Sequence, residues 1–424
     1  MPAGMVVITV STWYVGDVVY NDYESYRILI GDESLESAWW QVLWFVVAFG
    51  VLVPQVHHMV NGRLERTRSH VTDYLESNRL RRANVQHQIN LIGGALLSIW
   101  LVLMGIALFR LGGNVFGLFA PYLGQRADPW ARGQIGGGFS ALISVGGYLQ
   151  IFLAAAFGVL TAVSYNPKTR SMAITVCCLA LPYYIFDRTR NTMLATVLPG
   201  VLTYVAFRIR GGFIVKGAVL AGCFLVVHLW FSFVITNRSD MAIAEAFKSR
   251  GNKDAVADTK HLGLNMLEEL AWLDRYIETG TYLPATGQRY FAELVNPIPR
   301  GLWKDKPMIG LDYALARGQL VTGEKGEMTA TISTGMIGQG VANFGRFFGP
   351  LAAAFLMALW VAMLARQDLL GDDPGRLLLY ACGLILTFNL GRDITLLVLY
   401  PFFFGLILLK MYHSHVGNQR GALS

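Results

Sequence analysis

The chain has 424 residues, 54% of them apolar and 15% charged, with a net charge of +7 and a mean hydropathy of +0.43. A soluble domain of that length needs more polar surface to cover its core, so the composition excludes a soluble globular protein and points to a polytopic membrane protein. The positive charge does not call for nucleic acid, because basic residues in short loops are what membrane orientation requires.

About ten apolar runs approach or reach the roughly 20 residues that cross a bilayer as a helix. The first, residues 5–20, is short; it lacks a basic leader and carries Asp17, so no cleavable signal peptide is expected. The second, 38–60, has Trp39, Trp40 and Trp44 at one end, as an interface belt should. Arg63, Arg66, Arg68, Arg79, Arg81 and Arg82 follow, which places 61–88 in the cytoplasm by the positive-inside rule. Further runs cover 89–110, 137–164, 171–186, 192–207 and 213–235, with Lys168, Arg170, Arg208 and Arg210 falling in inner loops. A hundred-residue outer region, 236–337, precedes the last three runs at 345–365, 376–390 and 394–412. Lys410 and Arg420 then lie inside, and only the mixed loop at 366–375 departs from the sign rule. The expected fold class is therefore all-α integral membrane, with about ten transmembrane helices and one large, partly helical periplasmic loop. Its parts are 1–235 (helices one to seven), 236–337 (the loop) and 338–424 (helices eight to ten).

Within the outer region Leu262, Met266, Leu267, Leu270, Leu273 and Ile277 recur at helical spacing. Glu268, Glu269, Asp274 and Glu278 occupy other positions around that helix, so it lies on the membrane or caps the bundle. A second amphipathic piece from Arg289 to Val295 feeds the stretch Asn296-Pro297-Ile298-Pro299-Arg300-Gly301-Leu302-Trp303-Lys304-Asp305-Lys306-Pro307. Three prolines and a glycine exclude helix there and predict an extended, stiff path. On it hang Arg300, Lys304 and Lys306, with Trp303 as amphipathic anchor. Such a cationic loop suits an anionic headgroup, phosphate above all; the alternative is a solvated connector.

Arg188, Arg190 and Arg392 emerge on the same outer face, against the orientation rule. Each could pair with its neighbour, Asp187 or Asp393, and merely close a helix end. Three sites on one face favour a shared anionic ligand such as pyrophosphate, whose oxygens the planar guanidinium meets two at a time. Between Thr329 and Pro350, glycines 335, 338, 340, 345 and 349 permit close backbone approach, with Gln339, Asn343 and Arg346 among them. Helix packing through small residues and sugar contact are both open for that stretch. His261 is the sole histidine of the outer region and a candidate base. Cys177, Cys178, Cys223 and Cys382 all lie in apolar runs and read as filler; no residues have metal-ligand spacing.

The proline–arginine–tryptophan–lysine stretch resembles the signature in the large periplasmic loop of Wzy-type O-antigen polymerases. Asn343-Phe344-Gly345 and Gly349 are similar to that family's opening of the following helix, and Arg188-Thr189 and Gly391-Arg392 lie where it places loop arginines. The resemblance covers roughly residues 180–400. It departs at Gln339, where many relatives carry an acid, and this leaves the base open among His261, Glu268 and Asp305. The resemblance implies a C-type glycosyltransferase architecture in the bacterial inner membrane, with the active site facing the periplasm. It implies transfer of glycan from undecaprenyl pyrophosphate to a sugar hydroxyl of another lipid-linked unit, without nucleotide sugar, cofactor or metal. Arg300, His261 and Asp305 become the expected catalytic residues. Arg188, Arg190, Arg392, Lys304, Lys306, Trp303 and Asn343 become the expected substrate contacts. The implied partners are undecaprenyl-pyrophosphate-linked oligosaccharide, the lipid bilayer and a chain-length regulator protein, with no nucleic acid. An O-antigen ligase uses the same donor, and a transporter of lipid-linked sugars or a structural membrane subunit are the readings from other classes.

Overall fold

The structure, a computed structural model, describes residues 2–16, 18, 27–28, 30–61, 79–120, 127–130, 140–186, 190–236, 265–296, 298–299, 301–307, 311–317, 332–367 and 373–421. Every regular element among them is helical. In chain order these are α1 (Pro2–Val10, continued by a π turn over Ser11–Gly16), α2 (Asp32–Asn61), α3 (Arg79–Arg110), α4 (Ser140–Val163), α5 (Pro167–Ile185), α6 (Arg190–Arg208) and α7 (Phe213–Thr236). There follow α8 (Met266–Glu278), α9 (Gln288–Val295), α10 (Gly335–Ala365), α11 (Pro374–Leu390) and α12 (Leu396–Gly421), with short turns of helix at Val115–Phe119 and Leu311–Ala316. A helix meets each apolar run read from the sequence.

Asp32–Asn61, Val85–Arg110, Val145–Val163 and Gly335–Ala365 are long and apolar enough to cross a membrane, and shorter apolar helices run over Pro2–Gly16, Phe213–Val227, Pro374–Leu390 and Val398–Ser414. The protein is thus all-α and membrane-embedded. Its surface agrees: Leu101, Val102 and Phe109 of α3 and Phe213, Phe224 and Val226 of α7 are exposed, a costly face in water and a neutral one against lipid. At the centre lies α4, whose residues Phe152, Leu153, Ala154, Ala155, Ala156 and Phe157 are buried in unbroken succession. A helix buried all round belongs in the middle of a bundle. Small residues let it get there: a Cβ added to Gly200 of α6 would lie 2.8 Å from Gly158 Cα of α4.

The bundle has two chemically distinct ends. At one, Gln86 donates to Asn90 and Ser164, Thr169 donates to Asn90, Arg208 donates to Ala162 O, and Asn61 donates to Ala362 O. Asp373 accepts from Gly375 N to cap α11 and pairs with Arg376 and His413. Lys168, Arg170, Arg208, Arg210, Arg366, Arg376 and Lys410 gather there, and we call this the basic end. The opposite end carries α8, α9 and the turn between α11 and α12, and is called the loop end.

A sequence expectation changes at the loop end. The helix expected at 345–365 starts ten residues earlier and is broken at Gly345 (φ 75°, ψ −177°), a conformation open essentially to glycine alone. A first leg, residues 335–344, folds back on a second, 346–365. A Cβ on Gly340 would lie 2.1 Å from Gly349 O, and one on Gly349 2.4 Å from Val341 N. Only the second leg, about 30 Å long at 1.5 Å per residue, has the length of a span. The glycine-rich stretch therefore serves close backbone approach, as its composition allows. The helix α8 caps the bundle, packed on α2 and α10, one of the two placements its pattern allows; Glu268 and Asp274 are buried and Glu278 is exposed. The acids of α8 that lie inward have partners. Asp274 pairs with Arg346 (2.5 Å) and accepts from Gln41 (2.9 Å), while Glu269 takes Arg317 (3.1 and 3.4 Å) and Tyr313 (2.6 Å).

Candidate functional site

The first leg of α10 is the frame on which the loop end is built. A helix N-terminus leaves N–H groups unpaired. Here Met336 N donates to Gly391 O (3.1 Å) and Ile337 N to the hydroxyl of Tyr14 (2.8 Å), seating the leg on the turn after α11 and on the end of α1. Gln339 Oε1 accepts from Ile394 N (2.8 Å), binding the same turn a second time. At the other end of the leg, Ala342 O accepts from Ala285 N (2.8 Å).

That leg also holds α9. The helix begins after Gly287, which has φ 90° and no side chain to cap it. Asn343 supplies the cap from outside: its Oδ1 accepts from Arg289 N (3.1 Å) and Tyr290 N (3.4 Å), and its Nδ2 donates to Gln339 O (2.8 Å). Fixed in this way, Arg289 is buried, with 8% of its surface accessible. Its Nε lies 3.7 Å from Asp312 Oδ1, and Tyr282 donates to Asp312 Oδ2 (2.6 Å). Arg289 Nη1, the Tyr290 hydroxyl and Thr334 Oγ1 are buried with no hydrogen-bond partner.

Beside them stands Asp393, on the turn between α11 and α12. Ser333 Oγ accepts from Arg392 Nε (2.7 Å), and the Asp393 carboxyl lies near Ser333 and the Thr334 amide. Burial pushes its carboxyl above the ordinary carboxylate range, against the opposing pull of Ser333, Arg392, Arg289 and the Thr334 amide. The residue keeps partial exposure, but the enclosure of the carboxyl by protein dominates. Burial likewise raises the Tyr290 phenol well above its usual value, with Arg289 opposing, so it remains a proton-bearing donor. Arg289 and Arg392, the acids Asp312 and Asp393 and the phenols of Tyr282 and Tyr290 thus lie at one end of the bundle, with donor groups left open.

No protein-family model, curated protein or solved structure matches the chain. What the site can do is therefore read from its residues. Open N–H and O–H donors beside fixed cations in a partly desolvated place suit an anion with several oxygens. Among the described residues no group of three or more His, Cys, Asp or Glu is placed to hold a metal ion.

Of the residues singled out from the sequence, Arg392 lies in this site and Asn343 supports it from behind as a buried cap. Arg190 opens α6, and the backbone there is beside the same turn: Asn389 Nδ2 donates to Asn191 O (3.0 Å). Arg188, His261 and Arg300 lie outside the described residues, as does the side chain of Arg190. The proline stretch is not extended. Leu302 N and Trp303 N both donate to Pro299 O, and Lys306 Nζ donates to Asn296 O and Ile298 O (2.8 Å each). An ammonium that satisfies two carbonyls draws the segment into turns, so Lys306 is buried as a clasp, while Lys304 and Asp305 stand exposed on the turn. Trp303 packs edge-on against Phe291 (6.4 Å between centroids). Sequence reasoning passed over Arg289, Tyr290, Tyr14 and Asp393. For Arg289 there was a signal: a cation in the first turn of a helix opposes the helix dipole and needs a reason to be there.

Proposed function

We propose that the chain is an integral-membrane glycosyltransferase of the Wzy O-antigen polymerase kind, moving glycan from undecaprenyl pyrophosphate to a sugar hydroxyl of a second lipid-linked unit. The observation that carries the reading is Arg289: a buried guanidinium with an open N–H, next to the open Tyr290 hydroxyl, at the loop end that also carries Arg392. The difficult part of this reaction is expelling the diphosphate, whose bridging oxygen gains charge as the glycosidic bond breaks. Preorganised guanidinium groups at a low-dielectric membrane edge stabilise that charge. Arg300, Arg188 and Arg190 join the clamp in this reading, with Lys304 and Trp303 at its rim.

About ten spans, in the arrangement of C-type glycosyltransferases, complete the proposal. The basic end faces the cytoplasm by the positive-inside rule, which turns the loop end to the periplasmic side of a bacterial inner membrane. The charge gathered at one end, and not at mid-membrane, speaks against a transporter. A chain-length regulator is the proposed protein partner.

The test is to incubate the purified protein in lipid nanodiscs with undecaprenyl-pyrophosphate oligosaccharide and resolve the products. A ladder of lengthening glycans is expected. A single transfer to core lipid would make it a ligase, and transbilayer movement without transfer a transporter. Arg289→Ala should raise KM for the donor at least tenfold; wild-type KM in that variant would remove Arg289 from the donor site.

A further inference from the structure

We propose that α9 and the turn that follows it are seated in the lipid leaflet at the loop end, as an interfacial element lying in the membrane plane. The helix is inside out for a surface that meets water. Its two charged residues, Arg289 and Glu293, stand four apart and are both buried. Phe291 and Leu294, three apart on the opposite face, are 49% and 65% exposed. The turn continues the pattern: Lys306 is drawn inward onto Asn296 O and Ile298 O, Leu302 is 73% exposed, and Trp303 packs edge-on against Phe291. Water would favour the same helix rolled by half a turn. The boundary between headgroups and acyl chains favours it as it stands.

Contacts place this face level with the membrane surface and join it to the wall of the bundle that lipid already covers. Trp39, Trp40 and Trp44 mark the loop end of α2, and tryptophan concentrates where a bilayer meets water. Trp44 Nε1 donates to Phe347 O (2.9 Å) and its ring stacks on that of Phe347 (5.6 Å). Phe347 meets Phe348 edge-on (5.1 Å), and across the break at Gly345 Phe344 lies against Tyr290 of α9 (6.1 Å). Phe344, Phe347 and Phe348 are all exposed. The apolar surface therefore passes from the exposed Leu43, Val46 and Val47 of α2, through the break in α10, to α9 and Trp303.

That continuity identifies the occupant as lipid. A patch contiguous with the lipid-facing wall, at the level of its tryptophans, meets the leaflet before any soluble partner or second copy. The seating is shallow, because Lys304 and Asp305 stay exposed on the same turn and need headgroups or water. It requires only the membrane, and not the transferase reading. Its consequence for the site is one of position: Arg289, on the inward face of the same helix, is held at headgroup depth, where the phosphate of a lipid-borne molecule travels.

The test uses the full chain in phosphatidylcholine nanodiscs that contain a lipid with a photoreactive diazirine in its acyl chain. After irradiation, adducts are mapped by mass spectrometry. Residues 288–303 should be labelled to within about threefold of residues 101–109 of α3, where Leu101, Val102 and Phe109 face lipid. Introducing Leu294→Asp and Leu302→Asp together should cut adducts on 288–303 about tenfold and leave those on α3 unchanged, because a carboxylate is disfavoured in the leaflet. Labelled α3 with unlabelled 288–303 overturns the proposal, whether water, a second copy or another segment of the chain then covers the face. Equal labelling of 288–303 in the double variant overturns it too. Should that variant fail to fold, hydroxyl-radical oxidation of the wild type in nanodiscs decides: Leu294 should react no faster than Leu101, and faster reaction refutes the seating.

Discussion

Replacing Gly340 with alanine tests the fold-back of α10, on which the whole loop end depends. The added Cβ would lie 2.1 Å from Gly349 O and 2.8 Å from Gly349 C, far inside van der Waals contact. Those are backbone atoms of a packed helix, so no side chain can swing away to relieve the overlap. Overpacking a tight core costs about 1–3 kcal/mol, and an immovable target puts this substitution near about 3 kcal/mol. Gly349→Ala meets Val341 N and Cα at 2.4 Å and should cost a similar amount. Because both substitutions pry the same two legs apart, the double variant should cost clearly less than the sum of the singles. The assay is thermal unfolding in detergent, with Gly222→Ala of α7 as the control, since nothing lies within 4 Å of a Cβ there. On the proposed glycosyltransferase reading, polymer formation should fall in parallel, because displacing the leg removes the Asn343 cap from α9 and the Gln339 contact from the Asp393 turn. If Gly340→Ala unfolds at the same temperature as Gly222→Ala, the two legs are not in backbone contact and the site built on them is misassembled.

Other consequences are equally direct. Arg346→Ala leaves the fully buried Asp274 with Gln41; the full cost of orphaning a buried charge is about 3–5 kcal/mol, and the 41% exposure of Arg346 reduces this to about 2 kcal/mol in chemical denaturation. Burial, first of all, raises the Asp274 carboxyl above its ordinary 3.8, so the folded state holds that proton more tightly than the unfolded chain does. Its contribution to stability is full below pH 3.8 and is lost as pH rises through the raised value; melting temperature against pH should flatten in Asp274→Asn, and an unchanged slope would exclude the residue. Asn343→Ala should cost about 1 kcal/mol as a lost helix cap and raise donor KM by loosening Arg289, whereas a change in kcat alone would count against a positioning role.

The helices could be read from the sequence because lipid imposes its own requirement, a run of about 20 apolar residues, whatever the neighbours do. Hence α6 and α11 begin and end close to the expected positions. The first leg of α10 was not legible in that way. Residues 335–344 are apolar and glycine-rich like the span that follows, and only the backbone torsion at Gly345 separates them. Gly345 was visible as a permissive residue, but the direction of the fold-back depends on the contact between Gly340 and Gly349. The amphipathic pattern of α8 showed a helix lying on the membrane or capping the bundle, but not the partners of its acids, since periodicity ranks residues by polarity and takes no account of partners. Arg317 and Arg346 lie 48 and 72 residues from the acids they meet. Asp393 was hidden by its neighbour: an Arg-Asp pair on a short turn looks self-neutralising until Arg392 is seen turned to Ser333.

Pairing also separates the arginines of the loop end into two kinds. Arg317 spreads two N–H groups over Glu269 and lies over the ring of Trp272 (4.6 Å), while Arg346 is divided between Asp274 and Glu278. Each of these fastens α8 to another segment, and a guanidinium committed to two protein partners has little left for a ligand. Arg289 differs because its nearest acid, at 3.7 Å, is itself engaged by a tyrosine hydroxyl, and Nη1 is left buried with no acceptor. An unpaired buried donor costs about 1–3 kcal/mol in the resting protein. A fold that keeps such a donor at the end that also carries Arg392 and the enclosed acid Asp393 holds in reserve an interaction that only an incoming anion would complete, and diphosphate leaving from a membrane-bound glycan has the oxygens to do so.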